Sequence, residues 1–540
     1  MNKPFAITLD VGTSLVNHTG SWRTERPQYV NRIPPCNKTC PAGENIQQWL
    51  FHAEEGNYEQ AFKTIMQDNP FPTIMGRVCY HTCESACNRK DVDESVGINA
   101  VERFIGDEAL RHGWTVECAP DSGKKVMVIG AGPSGLSAAY HLRRLGHSVT
   151  VFEAAPKAGG MLRYGIPKYR LPREKLAGEI KRIEDLGVEI KTNTPVANVA
   201  ETMKDGGFDA CFLSFGAHVG GSVDLPTDGS VPMFDAATVL KDLENEQQPA
   251  LNGHVVVYGG GNTAMDVARS ATRMGALSVT VVYRRDRNMM PAHELEIHEA
   301  LEEGVQIACL RTITSIANGE LELEVMVTGE DNRPVATGQT ETIPASVLVQ
   351  AVGQSVDLNP LDGLDDIDVK GGVVLVGKDM QTGAKGVFAG GDMVPSERTV
   401  TVAIGHGKKA AKNIDAFLNG QIFVAPEKHD DASYGNLNTW YYSDAPRSVR
   451  PVLDVARRQS GFAEVVGNLD EQTAQYEARR CMSCGNCFEC DNCYGVCPDN
   501  AITKLGPGKG FEFKYDYCKG CGICVSECPC GSIEMIPEDI

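Results

Sequence analysis

Gly130-Ala131-Gly132-Pro133-Ser134-Gly135 follows the apolar run Val126-Met127-Val128-Ile129 and leads into a helical stretch over residues 135–145. A strand ending in closely spaced glycines before a helix opens a dinucleotide-binding βαβ unit. The first glycine permits the tight turn and the second lets the backbone approach a pyrophosphate. The third lets the helix close on the strand while its N-terminus faces the anion. A second strand over residues 148–152 ends at Glu153, about twenty residues on, where a carboxylate binds a ribose hydroxyl pair. Gly130, Gly132, Pro133, Ser134, Gly135 and Glu153 are therefore candidate cofactor-binding residues.

The arrangement recurs. Gly259-Gly260-Gly261-Asn262-Thr263-Ala264 lies between an apolar run at 255–257 and a helical stretch at 263–274. Gly259, Gly261, Asn262 and Thr263 are candidates for the same reasons. Its second strand ends Val281-Val282-Tyr283-Arg284-Arg285, with arginines where the first unit has an acid. Arg284 and Arg285 suit a 2′-phosphate, which favours NADPH over NADH; the competing reading is two solvated surface charges. Two such units imply an α/β chain with two nucleotide-binding domains rather than a short-period repeat. A third glycine motif, Gly386-Val387-Phe388-Ala389-Gly390-Gly391-Asp392, follows another strand, and Thr399-Val400-Thr401-Val402-Ala403-Ile404 begins a helix.

The 540 residues are too many for one core and suggest three or four domains at about 150 residues each. Fifty-one basic against 71 acidic residues give a net charge of −20, a field that repels nucleic acid and anionic lipid. No run of about 18 apolar residues occurs, and Met1-Asn2-Lys3-Pro4 carries no apolar signal core, so a cytoplasmic protein without membrane insertion is expected.

The 19 cysteines are clustered: five between Cys36 and Cys87, eleven between Cys481 and Cys530. In a reducing compartment such clusters mean metal more often than disulfides. Cys487-x2-Cys490-x2-Cys493-x3-Cys497-Pro498 and Cys518-x2-Cys521-x2-Cys524-x3-Cys528-Pro529 have the spacing of two ferredoxin runs. In paired runs the fourth cysteine serves the other cluster. One [4Fe–4S] cluster would then take Cys487, Cys490, Cys493 and Cys528, and its neighbour Cys518, Cys521, Cys524 and Cys497. Zinc is the competing occupant. Between Cys481 and Ile540, nine acidic residues face four basic ones, a surface suited to docking a basic partner or simply to solubility. There is no GxSxG, HExxH or P-loop, no catalytic side chain is expected, and His218, His293 and His406 stand isolated.

With its two glycine loops and Asp392, the chain resembles the two-dinucleotide-binding-domain flavoprotein reductases. Gly159-Gly160-Met161-Leu162-Arg163-Tyr164-Gly165-Ile166-Pro167 and Tyr169-Arg170-Leu171-Pro172 narrow the likeness to the glutamate synthase small subunit and the reductase half of dihydropyrimidine dehydrogenase. Gly76-Arg77-Val78-Cys79 adds to it. The resemblance implies FAD at the first site, near Gly160, Met161, Leu162 and Arg170. It places Gly391 and Asp392 on the ribityl chain, and Thr401 and Val402 at a helix N-terminus facing the isoalloxazine. NADPH, or NADH, falls to the second site.

The same resemblance implies two [4Fe–4S] clusters in the N-terminal region. One would use Cys36, Cys40, Cys79 and Cys83. The other needs Cys87 and an Arg-Cys-x2-Cys pair that the family places upstream. Here that piece lies behind the reductase, in Phe462-Ala463-Glu464-Val465 and Arg480-Cys481-Met482-Ser483-Cys484. Cys481 and Cys484 would fold back, in this chain or a partner copy, with Glu102 as the remaining ligand. Fifteen cysteines and Glu102 then supply four clusters. Alternatively, Cys481 and Cys484 join a rearranged ferredoxin run and the N-terminal region holds one cluster.

The expected architecture is a helical Fe–S domain at 1–120, an FAD domain at 121–250 and 385–425, and an NAD(P)H domain at 251–384. A linker at 426–480 and a small α+β ferredoxin-like domain at 481–540 complete it. The expected role is an electron-transfer subunit linking NAD(P)H, through FAD and clusters, to a separate catalytic subunit such as a 2-oxoacid:acceptor oxidoreductase. The alternatives are a stand-alone NAD(P)H:ferredoxin oxidoreductase, a glutamate synthase small subunit proper, and a scaffold with vestigial sites.

Overall fold

A computed structural model describes residues 17–538; the N-terminal tetrapeptide examined for a signal lies outside them. An arm with strand β1 (Glu25–Tyr29) leads into helices α1 (Ile46–Glu54), α2 (Pro72–Val78) and α3 (Ile98–His112). Helix α1 buries Ile46, Trp49, Leu50 and Ala53, one apolar stripe at helical spacing.

Strand β2 (Lys125–Ile129), helix α4 (Pro133–Arg144), β3 (Ser148–Phe152), β4 (Glu189–Lys191) and β5 (Ala210–Leu213) build the first βαβ unit. Then come β6 (Met233–Asp235), β7 (His254–Tyr258), helix α5 (Asn262–Arg273), β8 (Ser278–Tyr283), β9 (Gln306–Cys309) and β10 (Val347–Gln350). Strand β11 (Val387–Ala389) and helix α6 (Val400–Leu418) return the chain to the first unit. Helix α7 (Glu471–Arg479) and strand β12 (Ile533–Pro537) follow.

The fold class is α/β. One five-stranded sheet has the order β11-β5-β2-β3-β4 and the other β9-β8-β7-β10-β6, with every pairing parallel. Val126, Met127, Val128, Phe212 and Leu213 in the first are essentially inaccessible, as expected where helices cover both faces of a parallel sheet. An antiparallel three-stranded sheet, residues 311–344, stands beside the second. Among the described residues no helix is long and apolar enough to cross a membrane.

Two local readings need correction or extension. A helical domain is expected over 1–120, yet it includes β1, paired antiparallel with β12 from Glu25↔Pro537 to Tyr29↔Ile533. Glu25-Arg26-Pro27-Gln28-Tyr29 has no apolar alternation, so only its distant partner makes it a strand. Within residues 426–480, expected as a linker, α7 packs against α1 and α3. It places Leu469, Ala474 and Ala478 in the same core as Trp49 and Val101.

Candidate functional site

The two parallel sheets point their glycine loops into one cavity of about 1510 Å³. On the first side it is lined by Gly130, Gly132, Pro133, Ser134, Glu153, Gly160, Met161, Arg170, Gly391, Asp392 and Thr401. Gly259, Gly261, Asn262, Thr263, Arg284 and Arg285 line it on the other. Three predicted residues do not. Gly135 is a packing position, where a Cβ would sit 2.0 Å from the Gly130 carbonyl oxygen. Leu162 is fully buried, and Val402 lies beside the lining residues, its amide donating to Thr399 Oγ1, the cap of α6.

The polar groups fit a dinucleotide. Glu153 Oε2 accepts from the Ala131 amide and Oε1 from the Ala155 amide, each at 2.8 Å, so the carboxylate is held against the loop. Ser134 Oγ is buried on the cavity wall with no partner in the chain, as are Arg285 Nε and Gln354 Nε2 opposite. Orphaned donors of this kind need a ligand or water. Gly160, at φ +51°, rests so close to the loop that a Cβ would meet Gly132 Cα at 2.7 Å, leaving the backbone cradle open. Burial pushes the Asp392 carboxyl up, against the opposing pull of Arg398.

Arg170 occupies the seam between the halves. One nitrogen lies 2.9 Å from both Asp266 oxygens on α5, and the other 2.5 Å from Glu296 Oε1. Burial opposes the guanidinium charge, but Asp266 and Glu296 hold it above its ordinary value. Tyr80 lines the cavity next to this cluster and stacks on His293 at 4.7 Å. His293 thus has a packing role, and the ring of His406 accepts from the Gly391 amide at 3.2 Å. Tyr80, Val78 and the segment 351–355 were not anticipated as lining. The small residues of Ala351-Val352-Gly353, just past an apolar strand, were the available signal for the last.

The N-terminal cysteines lie in two neighbouring groups. Cys36, Cys87, Cys481 and Cys484 line one small cavity with Gln47, Leu50 and Asn88. Cys40, Cys79 and Cys83 act electrostatically on one another, and Cys79 on Glu102. The structure thus places Cys36 beside Cys87, Cys481 and Cys484, and Cys79 within electrostatic reach of Cys40, Cys83 and Glu102. Cys481 and Cys484 reach Cys87 within one chain, because α7 docks beside α1 and α3. The docking is ionic as well. Arg77, almost fully buried, binds Asp107 at 2.8 Å and Glu464 at 2.7 Å, and Arg103 meets Glu464 at 2.9 Å.

Glu102 is enclosed, and burial, then Glu44 and Cys79, push its carboxyl well up. Asn69 donates to it at 2.8 Å and to Glu44 at 3.0 Å. Thr401 Oγ1 donates to Cys79 Sγ at 3.3 Å, joining this set to the large cavity. In the C-terminal module Cys487, Cys490, Cys493 and Cys528 act on one another, as do Cys497, Cys518, Cys521 and Cys524. Among the described residues no three His, Cys, Asp or Glu side chains converge tightly enough for one metal ion. Cys118, Cys211, Cys309 and Cys530 are left over; Cys211 is buried in β5, and Cys530 Sγ lies 3.8 Å from Cys528 Sγ.

Comparison with known proteins gives three family matches along the chain. The model of the pyridine nucleotide-disulphide oxidoreductases matches residues 124–407. That of dihydropyrimidine dehydrogenase domain II, 4Fe-4S cluster, matches 28–114, and that of the 4Fe-4S dicluster domain matches 486–532. The chain is 37% identical over 502 residues to the NADP(+)-dependent formate dehydrogenase subunit beta of Moorella thermoacetica, covering 83% of this chain and 70% of that one. It is 34% identical over 421 residues to the glutamate synthase [NADPH] small chain of Escherichia coli, 71% and 89% of the two chains. Against the putative oxidoreductase YgfK of Escherichia coli, 30% identical over 515 residues, 92% of this chain matches 48% of that protein.

Proposed function

Since the chain belongs to the pyridine nucleotide-disulphide oxidoreductase family and carries 4Fe-4S domains at both ends, we propose a specific division of labour for this FAD-dependent NAD(P)H oxidoreductase. It is an electron-input subunit that oxidises NADPH and delivers single electrons through four clusters to a separate catalytic subunit. FAD supplies the conversion between paired and single electrons, and the clusters carry one electron each.

The observation that carries this reading is the continuity of one cavity with a series of thiol sets. Both glycine loops open into that cavity, and its wall includes Val78, Tyr80 and Thr401, which flank or touch Cys79. From Cys79 the sets run outward. Cys83 lies four residues before Cys87, which shares a small cavity with Cys36, Cys481 and Cys484, and Cys484 lies three residues before Cys487 of the ferredoxin runs. That order suits a relay leading away from the nucleotide site.

In this assignment the loop amides and the N-terminus of α4 bind the flavin pyrophosphate, Glu153 the ribose and Asp392 the ribityl chain. The first turn of α6, with Thr401, faces the ring system. Arg284 and Arg285 bind the 2′-phosphate, while Arg170, held by Asp266 and Glu296, fixes the second half against the first. The ligand sets are Cys40, Cys79, Cys83 and Glu102; Cys36, Cys87, Cys481 and Cys484; and the two interleaved ferredoxin sets. The domains divide as 1–120, 121–250 with 385–425, 251–384 and 481–540, with 426–480 between. Two of the relatives are named as a subunit or small chain, which supports a hetero-oligomer; a 2-oxoacid:acceptor oxidoreductase is one class of partner.

The test is anaerobic purification from the native cell. The expected protein is bleached by NADPH, reduces a dye, and loses its natural acceptor activity when co-purifying chains are removed. Retention of that activity by the isolated chain would establish a stand-alone oxidoreductase instead. Failure to take electrons from either nicotinamide would overturn the assignment.

A further inference from the structure

The N-terminal arm has no part in the nucleotide chemistry, yet it is built into the C-terminal module. Strand β1 pairs with β12, the Gly20 amide donates to the Asp516 carbonyl, and the Val30 amide to that of Ser532. At the end of β1 the ring of Tyr29 stacks on Phe513, with centroids 4.7 Å apart, and packs against the module's small apolar core. That packing aims the phenol oxygen inward, 3.2 Å from Cys493 Sγ. An iron-bound thiolate has no proton, so in the loaded protein the hydroxyl must be the donor.

We propose that Tyr29 is a positioning residue that sets the reduction potential of the C-terminal cluster held through Cys493, by donating its hydroxyl hydrogen to that thiolate. The inference rests on Cys493 being a cluster ligand. A donor on a ligating sulfur offsets negative charge, and reduction adds negative charge, so the bond favours the reduced cluster. The arm raises the potential of the module's first-reached cluster and so favours passage of electrons out of the N-terminal half. The residue supplying this bond precedes its cysteine by 464 positions, outside the stretch that spells the ferredoxin runs.

The test is an EPR-monitored redox titration of the full chain, purified without oxygen, as wild type, Tyr29→Phe and Phe513→Leu. Cys493→Ala identifies the signal that belongs to the Cys493 cluster. Tyr29→Phe keeps the ring and removes the donor. At the wild-type midpoint its ratio of reduced to oxidised cluster is expected to fall by about threefold or more, the worth of one hydrogen bond. Phe513→Leu, which frees the ring but leaves the hydroxyl, should shift the ratio in the same direction by less. If Tyr29→Phe loses iron, Phe513→Leu decides the question alone. An unmoved midpoint with full iron content overturns the proposal while leaving Cys493 a ligand. If Cys493→Ala removes neither iron nor a signal, the ligand assignment falls, and the proposal with it.

Discussion

Thr401 Oγ1 lies 3.3 Å from Cys79 Sγ, so the first turn of the helix that closes the nucleotide cavity is bonded to a cysteine of the adjoining set. Cys79 also receives the His81 amide at 3.4 Å, and its neighbours Val78 and Tyr80 line the same cavity. One contact thus joins the wall of the cavity to the N-terminal cysteines. Thr401→Val should lower the potential of the Cys79 cluster and slow its reduction by NADPH several-fold in stopped-flow absorbance. Thr401→Ser, which keeps the hydroxyl, should restore both. Equal rates in all three proteins would assign the contact a purely structural role.

The second prediction concerns α7. Glu477 is fully buried and accepts from the Gly97 amide at 2.6 Å and the Ser448 amide at 2.8 Å, while pairing with Arg480 at 2.5 Å. Glu477→Ala leaves the Gly97 and Ser448 amides unpaired and Arg480 with Asp93 as its remaining carboxylate, at a cost of about 1–3 kcal/mol for each buried donor orphaned. The cost falls on the segment that presents Cys481 and Cys484. Iron should drop from about sixteen to about twelve per chain, with the flavin retained. Full iron content would separate those cysteines from any cluster.

Nucleotide preference should reside in Arg284 and Arg285. Arg285 lines the cavity and its buried Nε has no partner in the chain, and a bond to a charged phosphate is worth about 1.5–3 kcal/mol. Arg285→Ala should raise KM for NADPH by about 10- to 100-fold and leave NADH little changed. A parallel loss with both nucleotides would remove the 2′-phosphate assignment.

Acid sensitivity should come partly from His141. Burial, then Lys408 and Arg144, lower its imidazole to about 3, and it packs against the Asp68 carbonyl. The unfolded chain takes up this proton near pH 6.5 and the folded chain only near 3. Stability is therefore complete above pH 6.5 and falls through the window between them, by up to about 1.4 kcal/mol per pH unit. His141→Gln should flatten the acid limb of a Tm-against-pH profile. An unchanged slope would show that the imidazole titrates alike in both states.

Local signals carried the nucleotide reading. Gly130, Gly135 and Glu153 could be interpreted from the sequence because a turn, a close helix and a strand end are governed by a few adjacent residues. The ferredoxin runs were readable for the same reason, their ligands lying two or three residues apart. Tyr80 was not, because it reaches the cavity from another part of the chain. Arg77 and Glu464 stand 387 residues apart in the sequence, and only the folded chain makes them a 2.7 Å ion pair.

From its residues alone, the protein is determined to have two dinucleotide loops in an α/β fold and cysteines in numbers and spacings that call for clusters. Tertiary structure decided which cysteines face one another, bringing Cys36 to Cys87, Cys481 and Cys484 and setting Cys79 beside Glu102 and Thr401. It also made a strand of Glu25–Tyr29 by pairing it with the far end of the chain. Backbone turns are settled by steric limits within a few residues. A ligand set is settled by where buried helices such as Glu471–Arg479 dock, and packing between distant segments leaves no local mark.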